Sequence, residues 1–235
     1  LFSTKLWKIC SKKEIRIIYA SSAATYGDGS SGFDDQEDIN FLNNLFPLNV
    51  YGWTKNQVDL RNLYLKTKLN IYPPQWVALK FYNVYGSNEI HKDNMISVVL
   101  KTYLQIKNEE ETCLFKSHKS NYKNGEQKRD FVYVKDCIDA LLWFLENKQI
   151  SGIFNIGTGQ ANTFNDLVYN VYKGLKKNIN ISYIDMPEKL KSQYQYETEA
   201  NINKLRKVGY KKKFFSLEEG INDYLKILEY NDNLS

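Results

Sequence analysis

The chain has 235 residues, of which 43% are hydrophobic, 14% aromatic and 25% charged, and this composition excludes an intrinsically disordered protein. Its net charge of +5 is spread along the sequence, which favours a mildly basic solvated surface over a nucleic-acid-binding face. Three cysteines and two histidines lie far apart, so neither a zinc site nor a disulfide framework is expected. Because the sequence lacks an apolar run of about 20 residues and a signal-peptide pattern, we expect a soluble cytoplasmic protein.

Helical and strand patterns alternate along the chain, which predicts an α/β fold with a mainly parallel sheet, in one large domain or two small ones. The predicted elements, in chain order, are a helix over 3–13, a strand over 15–20, a polar loop over 27–47, a helix over 50–66, a strand over 76–81, helices over 95–107 and 136–147, a strand over 152–156, a helix after residue 163, a strand over 179–184 and a helix over 216–229.

Some of these helices also have predicted buried faces and caps. Thr163 and Ser216 are each followed three positions later by an acidic residue, Asp166 and Glu219, and this spacing predicts two capping boxes. The residues expected on the buried faces of the first two helices are Leu6, Ile9 and Cys10, and then Val58, Leu60 and Leu63–Leu65.

Tyr51 and Lys55 stand four positions apart at the start of a predicted helix, which places both side chains on one face. A free tyrosine titrates near ~10, and a neighbouring ammonium favours the phenolate and lowers that pKa. The pair could therefore act as a base at neutral pH. Taken alone, the spacing favours a surface pair on an amphipathic helix, because chance matches are common in a chain with 18 tyrosines.

Ser22 gives this pair a chemical context, because it follows a buried strand at the edge where open α/β sheets bind ligands. A hydroxyl group there can polarise a substrate oxygen while Tyr51 handles the proton. The small side chains of Ala23 and Ala24 leave room for a flat cofactor ring. A strand, a serine-rich patch, a loop and then Tyr-x-x-x-Lys form a pattern that is much more specific than either half alone.

The sequence resembles the extended short-chain dehydrogenase/reductase family of nucleotide-sugar epimerases and dehydratases. The segments that carry the resemblance are YASSAATYG, PLNVYGWTK, KFYNVYG, HKDNM, KRDFVYVKD, SGIFNIGTG and KLKSQYQYET. The resemblance implies a Rossmann-like doubly wound parallel sheet with a smaller C-terminal α/β domain that binds substrate. It also implies a nicotinamide cofactor, NADP. In the family, the segment that distinguishes NADP binders from NAD binders precedes the part that this sequence matches.

The resemblance also implies roles for individual residues. Tyr51 would be a catalytic acid/base and Lys55 would bind the nicotinamide ribose, while Ser22 would contact the reacting oxygen. Lys92 would be the second acid/base, on the opposite side of the reacting carbon. Val84 would contact the cofactor, as would Tyr51 and Lys92.

For the nucleotide-sugar substrate, the resemblance implies a set of contacts in the second half of the chain. Arg129 offers the fork of donors that a diphosphate accepts best, and the alternative is a structural pair with Asp130. Without the resemblance, both His91 and His118 would be taken as bystanders. The implied substrate-binding residues are Asn83, Asn94, Lys101, Phe115, Lys116, Ser117, His118, Arg129 and Tyr194.

In domain terms, residues 1–86 would form the C-terminal part of an NADP-binding Rossmann domain, and 87–235 mainly the substrate domain. Segments within about 129–160 would return to the first domain. The family's strand and Gly-x-x-Gly-x-x-Gly turn have no counterpart here, and Gly157–Gly159 lacks the spacing of such a turn. We therefore expect about 90 preceding residues to be absent, and the isolated chain to bind NADP weakly and turn over poorly. The segment 119–127 departs from the family pattern.

Within the family, the implied activity is the inversion of C6″ in an ADP-linked heptose, with a homo-oligomeric assembly. A 4-epimerase or a 4,6-dehydratase acting on another nucleotide sugar remains open, although dehydratases usually carry an acidic pair where this chain has Ala23 and Ala24. A non-catalytic remnant that serves as a binding module also remains open.

Overall fold

The computed structural model describes residues 2–191 and 194–232, and of residues 94, 231 and 232 it describes the backbone alone. The helices are α1 Phe2–Lys12, α2 Ile39–Asn43, α3 Val50–Leu69, α4 Val98–Lys107, α5 Val134–Glu146, α6 Phe164–Gly174, α7 Glu188–Lys191, α8 Asn203–Lys207 and α9 Leu217–Asp232, with 3₁₀ helices at Ala23–Tyr26 and Ile90–Met95. The strands are β1 Ile17–Ser22, β2 Trp76–Phe81, β3 Asn83–Tyr85, β4 Thr112–Phe115, β5 Lys128–Tyr133, β6 Gly152–Ile156, β7 Ala161–Thr163 and β8 Ile181–Ile184.

A three-stranded parallel sheet of order β1-β2-β6 forms the first half of the fold. Its register aligns Ser22 with Phe81, and Phe81 with Ile156, so the three strands end at one edge. This edge is where a parallel sheet presents ligand-binding residues. The arrangement confirms the α/β fold with a Rossmann-like parallel sheet.

Two smaller sheets continue the fold beyond that edge. Strand β5 pairs with β3 in parallel and with β7 in antiparallel orientation, while β4 pairs in parallel with β8. Because β3 follows β2 after a single residue, the chain passes directly from the first sheet into the second. Residues 83–85 therefore lie at the junction of the two halves.

The buried apolar side chains fall into two clusters. The first packs around β1, β2 and β6 and includes Trp7, Leu79 and Phe154, while the second packs around α4, α6 and α9 and includes Leu100 and Val168. Among the described residues, no helix is long and apolar enough to cross a membrane.

The predicted buried stripe of α1 is only partly correct. Cys10 is buried as expected, but Leu6 and Ile9 are exposed, and the buried anchor of this helix is Trp7. Its indole nitrogen donates a hydrogen bond to the carbonyl of Ile71 at 2.8 Å, and its ring makes an edge contact with the Trp76 ring. A large ring with a polar handle buries more surface than either aliphatic side chain.

The predicted buried face of α3 is also partly wrong. Leu63 and Leu65 are buried, whereas Val58 and Leu60 are half-buried and Tyr64 is exposed. The buried face instead carries three polar side chains, which are Asn56, Asp59 and Asn62. Their partners come from other elements, so the apolar periodicity of α3 alone could not reveal this face.

Other predicted elements agree closely with the structure. The strands over 76–81 and 152–156 are confirmed to the residue, as are both capping boxes. Helix α4 begins at Val98, later than predicted, because Ser97 caps it and a 3₁₀ helix precedes it. The loop over 27–47 contains the short helix α2, whose first turn is capped by Asp38.

Candidate active site

Tyr51 and Lys55 lie at the start of α3, close to the carboxyl end of β1. Asn49 caps this helix by accepting a hydrogen bond from the Gly52 amide at 2.8 Å, which places Tyr51 in the first turn. The Tyr51 side chain is 56% exposed. Lys55 Nζ lies 5.7 Å from the centroid of the Tyr51 ring and donates to the Ala20 carbonyl at 2.8 Å. The two predicted residues therefore share one face, and the phenol is open to a ligand.

Ser22 ends β1 and caps the following 3₁₀ helix, since its Oγ accepts a hydrogen bond from the Ala24 amide at 3.1 Å. Helix α3 packs directly on this turn. A Cβ atom on Gly52 would lie 2.4 Å from the Ala24 carbonyl oxygen, so only glycine allows the approach. The structure thus brings Ser22 and the Tyr51–Lys55 pair to one edge of the first sheet.

The residues present fit the nicotinamide-ribose part of the expected cofactor. Ala23 is 7% exposed and contributes a small floor beside Ser22. The Lys55 ammonium uses one of its three N–H groups on Ala20, which leaves two donors for ribose hydroxyl groups. Val84, predicted to contact the cofactor, lies on β3 with its side chain partly exposed, and neighbouring Asn83 is also exposed.

Lys92 lies in the 3₁₀ helix Ile90–Met95 with its side chain exposed to solvent. The base of this segment is held by Glu89, whose buried carboxylate accepts from the amide and the hydroxyl group of Ser97 at 2.7 and 2.6 Å. Tyr224 of α9 donates to the same carboxylate at 3.2 Å. The side chain of Asn94 lies outside the described part of the chain.

Arg129 and Asp130 do not form the structural pair that was the alternative for Arg129. Adjacent residues of a strand point to opposite faces. Asp130 accepts hydrogen bonds from the amides of Thr158, Gly159 and Ala200, and its burial raises the pKa of its carboxyl group. The amides of Thr158 and Gly159 in the Gly157–Gly159 turn therefore donate to this carboxylate. This agrees with the expectation that the turn does not bind a cofactor phosphate.

The Arg129 guanidinium stacks between two aromatic rings on the other face of β5. Its central carbon lies 5.0 Å from the Tyr194 ring centroid and 5.6 Å from that of Phe164. It donates to the Lys128 carbonyl at 2.8 Å and to the Gln195 carbonyl. Burial lowers its pKa, but an arginine stays charged at neutral pH.

A pocket of about 210 Å³ brings several predicted substrate residues together, and two rings of its lining, Phe164 and Tyr194, are those that contact the Arg129 guanidinium. Its lining includes Lys101, Phe115 and Tyr194, together with Gln127 and Phe164. The walls are mainly aromatic and aliphatic, which suits a flat ring with a few polar groups.

The predicted residues that follow Phe115 lie on a loop outside this lining. Lys116 pairs with Asp185 at 3.2 Å. Ser117 and His118 are both tied to the hydroxyl group of Tyr196, with the His118 amide donating at 2.8 Å. The three side chains therefore already have partners, Asp185 and Tyr196, from later segments of the chain.

Two functional candidates escaped the sequence analysis, namely Asp59 and Lys80. Their side chains are fully buried and form an ion pair at 2.9 Å beside Ser21, whose hydroxyl group donates to Asp59. The sequence did contain a sign of this pair. Lys80 interrupts the apolar strand WVALKF, and Asp59, four residues after Lys55, lies on the same face of the helix.

Comparisons with known proteins identify relatives that align with almost all of the chain. It is 48% identical over 227 residues to the ADP-L-glycero-D-manno-heptose-6-epimerase of Fusobacterium nucleatum, covering 94% of this chain and 67% of the relative. It is 46% identical to the enzyme of that name from Nitratidesulfovibrio vulgaris, covering 96% and 68%.

Solved structures agree with these relatives. The crystal structure of the Helicobacter pylori ADP-L-glycero-D-manno-heptose-6-epimerase superimposes with a TM-score of 0.76 at 30% identity, over 97% of this chain and 64% of that one. A UDP-N-acetylglucosamine 4-epimerase from Methanobrevibacter ruminantium gives 0.79 at 26% identity, over 97% and 68%. The family model of the NAD dependent epimerase/dehydratase family matches residues 1–157, and the chain belongs to this family, as its sequence resemblance predicted.

Proposed function

We propose that the protein is an NADP-dependent nucleotide-sugar epimerase that inverts C6″ of ADP-D-glycero-D-manno-heptose, giving the L-glycero epimer used for the lipopolysaccharide inner core. The main support is the 48% identity to a relative of that name over 94% of the chain. The Tyr51–Lys55 pair beside Ser22 adds the acid/base chemistry that such a reaction needs. Its site is open to solvent, and we propose that it works in the cytoplasm.

Each side chain of the site has a role in this proposal. When bound, the oxidised cofactor NADP⁺ would supply reversible hydride transfer at C6″. Oxidation of this secondary alcohol would give a transient ketone, and return of the hydride to its opposite face would invert the centre. Tyr51 would exchange the proton of the reacting oxygen on one side, Lys92 would do so on the other, and Ser22 would donate a hydrogen bond to that oxygen. Lys55 would hold the nicotinamide ribose, and exposed Val84 would contact the cofactor.

The substrate would extend from this edge of the sheet towards the second half of the chain. We propose that the Arg129 guanidinium contacts the diphosphate, and that the pocket lined by Lys101, Phe115 and Tyr194 receives the nucleotide. Asn83 and Asn94 would bind the sugar between these ends. Lys116, Ser117 and His118 would border the nucleotide from their loop.

The two apolar clusters support a division into a cofactor domain and a substrate domain. The boundary proposed at residue 86 follows strand β3, where the chain leaves the first sheet. We also propose a homo-oligomer. A groove of about 670 Å³ between α1, α2 and α3, with Leu60, Tyr64 and Leu69 in its lining, would be covered by a second copy.

The proposed activity is tested by supplying three nucleotide sugars to the polypeptide as the cell produces it. We expect inversion of C6″ in ADP-D-glycero-D-manno-heptose, followed by NMR of the product, and no conversion of UDP-glucose or dTDP-glucose. Preferential turnover of a UDP-sugar would establish the 4-epimerase alternative instead. A protein that binds these sugars but converts none of them would be the non-catalytic module.

The diphosphate role predicts the effect of replacing Arg129 with methionine. The loss of charge-assisted hydrogen bonds should cost about 2 kcal/mol of substrate binding, roughly a 30-fold rise in KM. NADP affinity should not change. Arg206→Met is the matched control, because Arg206 also stacks on two rings, those of Tyr210 and Phe214, and donates to backbone carbonyls. Equal KM values for both variants would contradict the role of Arg129.

A further inference from the structure

The Asp59–Lys80 ion pair lies inside the first half of the fold, away from solvent. Asp59 belongs to α3, about two helical turns after Tyr51, and Lys80 belongs to β2. Their charged atoms are 2.9 Å apart and both side chains are 0% exposed. A buried ion pair of this kind is often no more stabilising than well-packed apolar side chains of similar volume. Stability alone is therefore a weak explanation for its presence.

The contacts of Lys80 lead from the ion pair to Ser22. One N–H of the ammonium donates to Asp59, and another donates to Thr25 Oγ1 at 2.6 Å. The ammonium also lies 4.8 Å from the centroid of the Tyr26 ring. Thr25 Oγ1 in turn donates to the Ser22 carbonyl at 2.9 Å. Two hydrogen bonds thus connect Lys80 to the backbone of the serine.

The contacts of Asp59 lead in the other direction, from α3 to the end of β1. Its carboxylate accepts from Ser21 Oγ at 2.6 Å and from the Tyr19 hydroxyl group at 3.2 Å. One turn earlier, Lys55 donates to the Ala20 carbonyl. Helix α3 is therefore attached to three successive residues of β1 just before Ser22.

We propose that the Asp59–Lys80 pair is a positioning unit that sets the placement of Tyr51 relative to Ser22. It holds α3 against β1 through Asp59 and holds the turn after β1 through Lys80 and Thr25. Its role rests on the proposed function, since Tyr51 and Ser22 act on the same oxygen there. A displacement of about 1 Å between such groups can lower turnover about 100-fold.

The test replaces the pair with apolar residues of similar size, Asp59→Leu with Lys80→Met, in the polypeptide as the cell produces it. We expect a urea unfolding midpoint close to that of the parent protein, a kcat about 100-fold lower and a KM for ADP-heptose within about threefold. Hydrogen exchange of residues 22–27 should accelerate about tenfold, while that of 152–156 stays unchanged. The control neutralises the exposed Lys173–Glu218 pair with two glutamines and should change none of these values.

A second variant covers the case in which the double substitution does not fold. Thr25→Val keeps the ion pair and removes the hydroxyl group that joins Lys80 to Ser22, and it should lower kcat about tenfold with an unchanged KM. Folded variants with parental kcat and parental exchange over 22–27 would overturn the positioning role. If the parent protein does not convert ADP-heptose, the proposed function fails, and faster exchange confined to 22–27 still supports the positioning unit.

Discussion

Replacing Tyr51 with phenylalanine is expected to lower turnover of ADP-heptose about 1,000-fold, because the variant loses the phenol that exchanges the substrate proton. The ring itself remains, so its packing at the start of α3 is preserved. Lys55 keeps its bond to the Ala20 carbonyl, and the variant should still bind NADP. Turnover is measured by NMR of the two epimers, and NADP binding by calorimetry.

The matched control for this variant is Tyr169→Phe. Tyr169 is 52% exposed, close to the 56% of Tyr51, and it lies on α6 in the other half of the chain. We expect its loss of a hydroxyl group to leave turnover unchanged. Parental turnover in the Tyr51 variant would remove Tyr51 from the chemistry and leave the pair as an ordinary surface feature of α3.

Replacing Lys92 with methionine is expected to lower turnover about 100-fold, since the oxygen then has a proton partner on one side only. The loss of kcat/KM should be equal from either epimer, because the equilibrium constant fixes the ratio of kcat/KM in the two directions. Methionine keeps most of the length of the side chain without its charge. The measurement is the initial rate from each pure epimer.

Lys148→Met provides the comparison for Lys92, because Lys148, in the turn after α5, is also exposed to solvent. Its removal should leave both initial rates unchanged. If the Lys92 variant retains parental rates while Tyr51→Phe does not, one acid/base group serves both faces of the substrate. The division of proton transfer between two residues would then be wrong.

Local sequence patterns were sufficient to predict two kinds of element: strands packed in uniformly apolar surroundings, and helix caps whose hydrogen-bond partners are a few residues away. Strands β2 and β6 are covered on both faces, and each appears in the sequence as an almost continuous run of apolar residues. The Thr163 and Ser216 caps involve residues three positions away, so their spacing was visible. Tyr51, Lys55 and Ser22 could be proposed because one strand end and one helix start carry them.

The sequence was uninformative where buried polar groups have distant partners. Strand β5 begins with Lys128-Arg-Asp, a start that resembles a solvated loop. In the structure the Tyr194 ring covers Arg129. The carboxylate of Asp130 accepts hydrogen bonds from amides at positions 158, 159 and 200. The buried polar face of α3 was missed for the same reason, because the partner of Asp59 is Lys80 on strand β2.

The hydrogen bond from Lys55 to the Ala20 carbonyl complicates genetic dissection of the site. This ammonium would bind the cofactor ribose, yet it also attaches α3 to the end of β1. An inactive Lys55 variant would therefore report two lost interactions at once, and an arginine in its place could not reproduce the single-point contact. Chemical rescue tests whether both interactions depend on the ammonium. A cysteine at position 55 alkylated to aminoethylcysteine restores an ammonium on a stem of nearly the same length, so helix attachment and ribose binding should recover together.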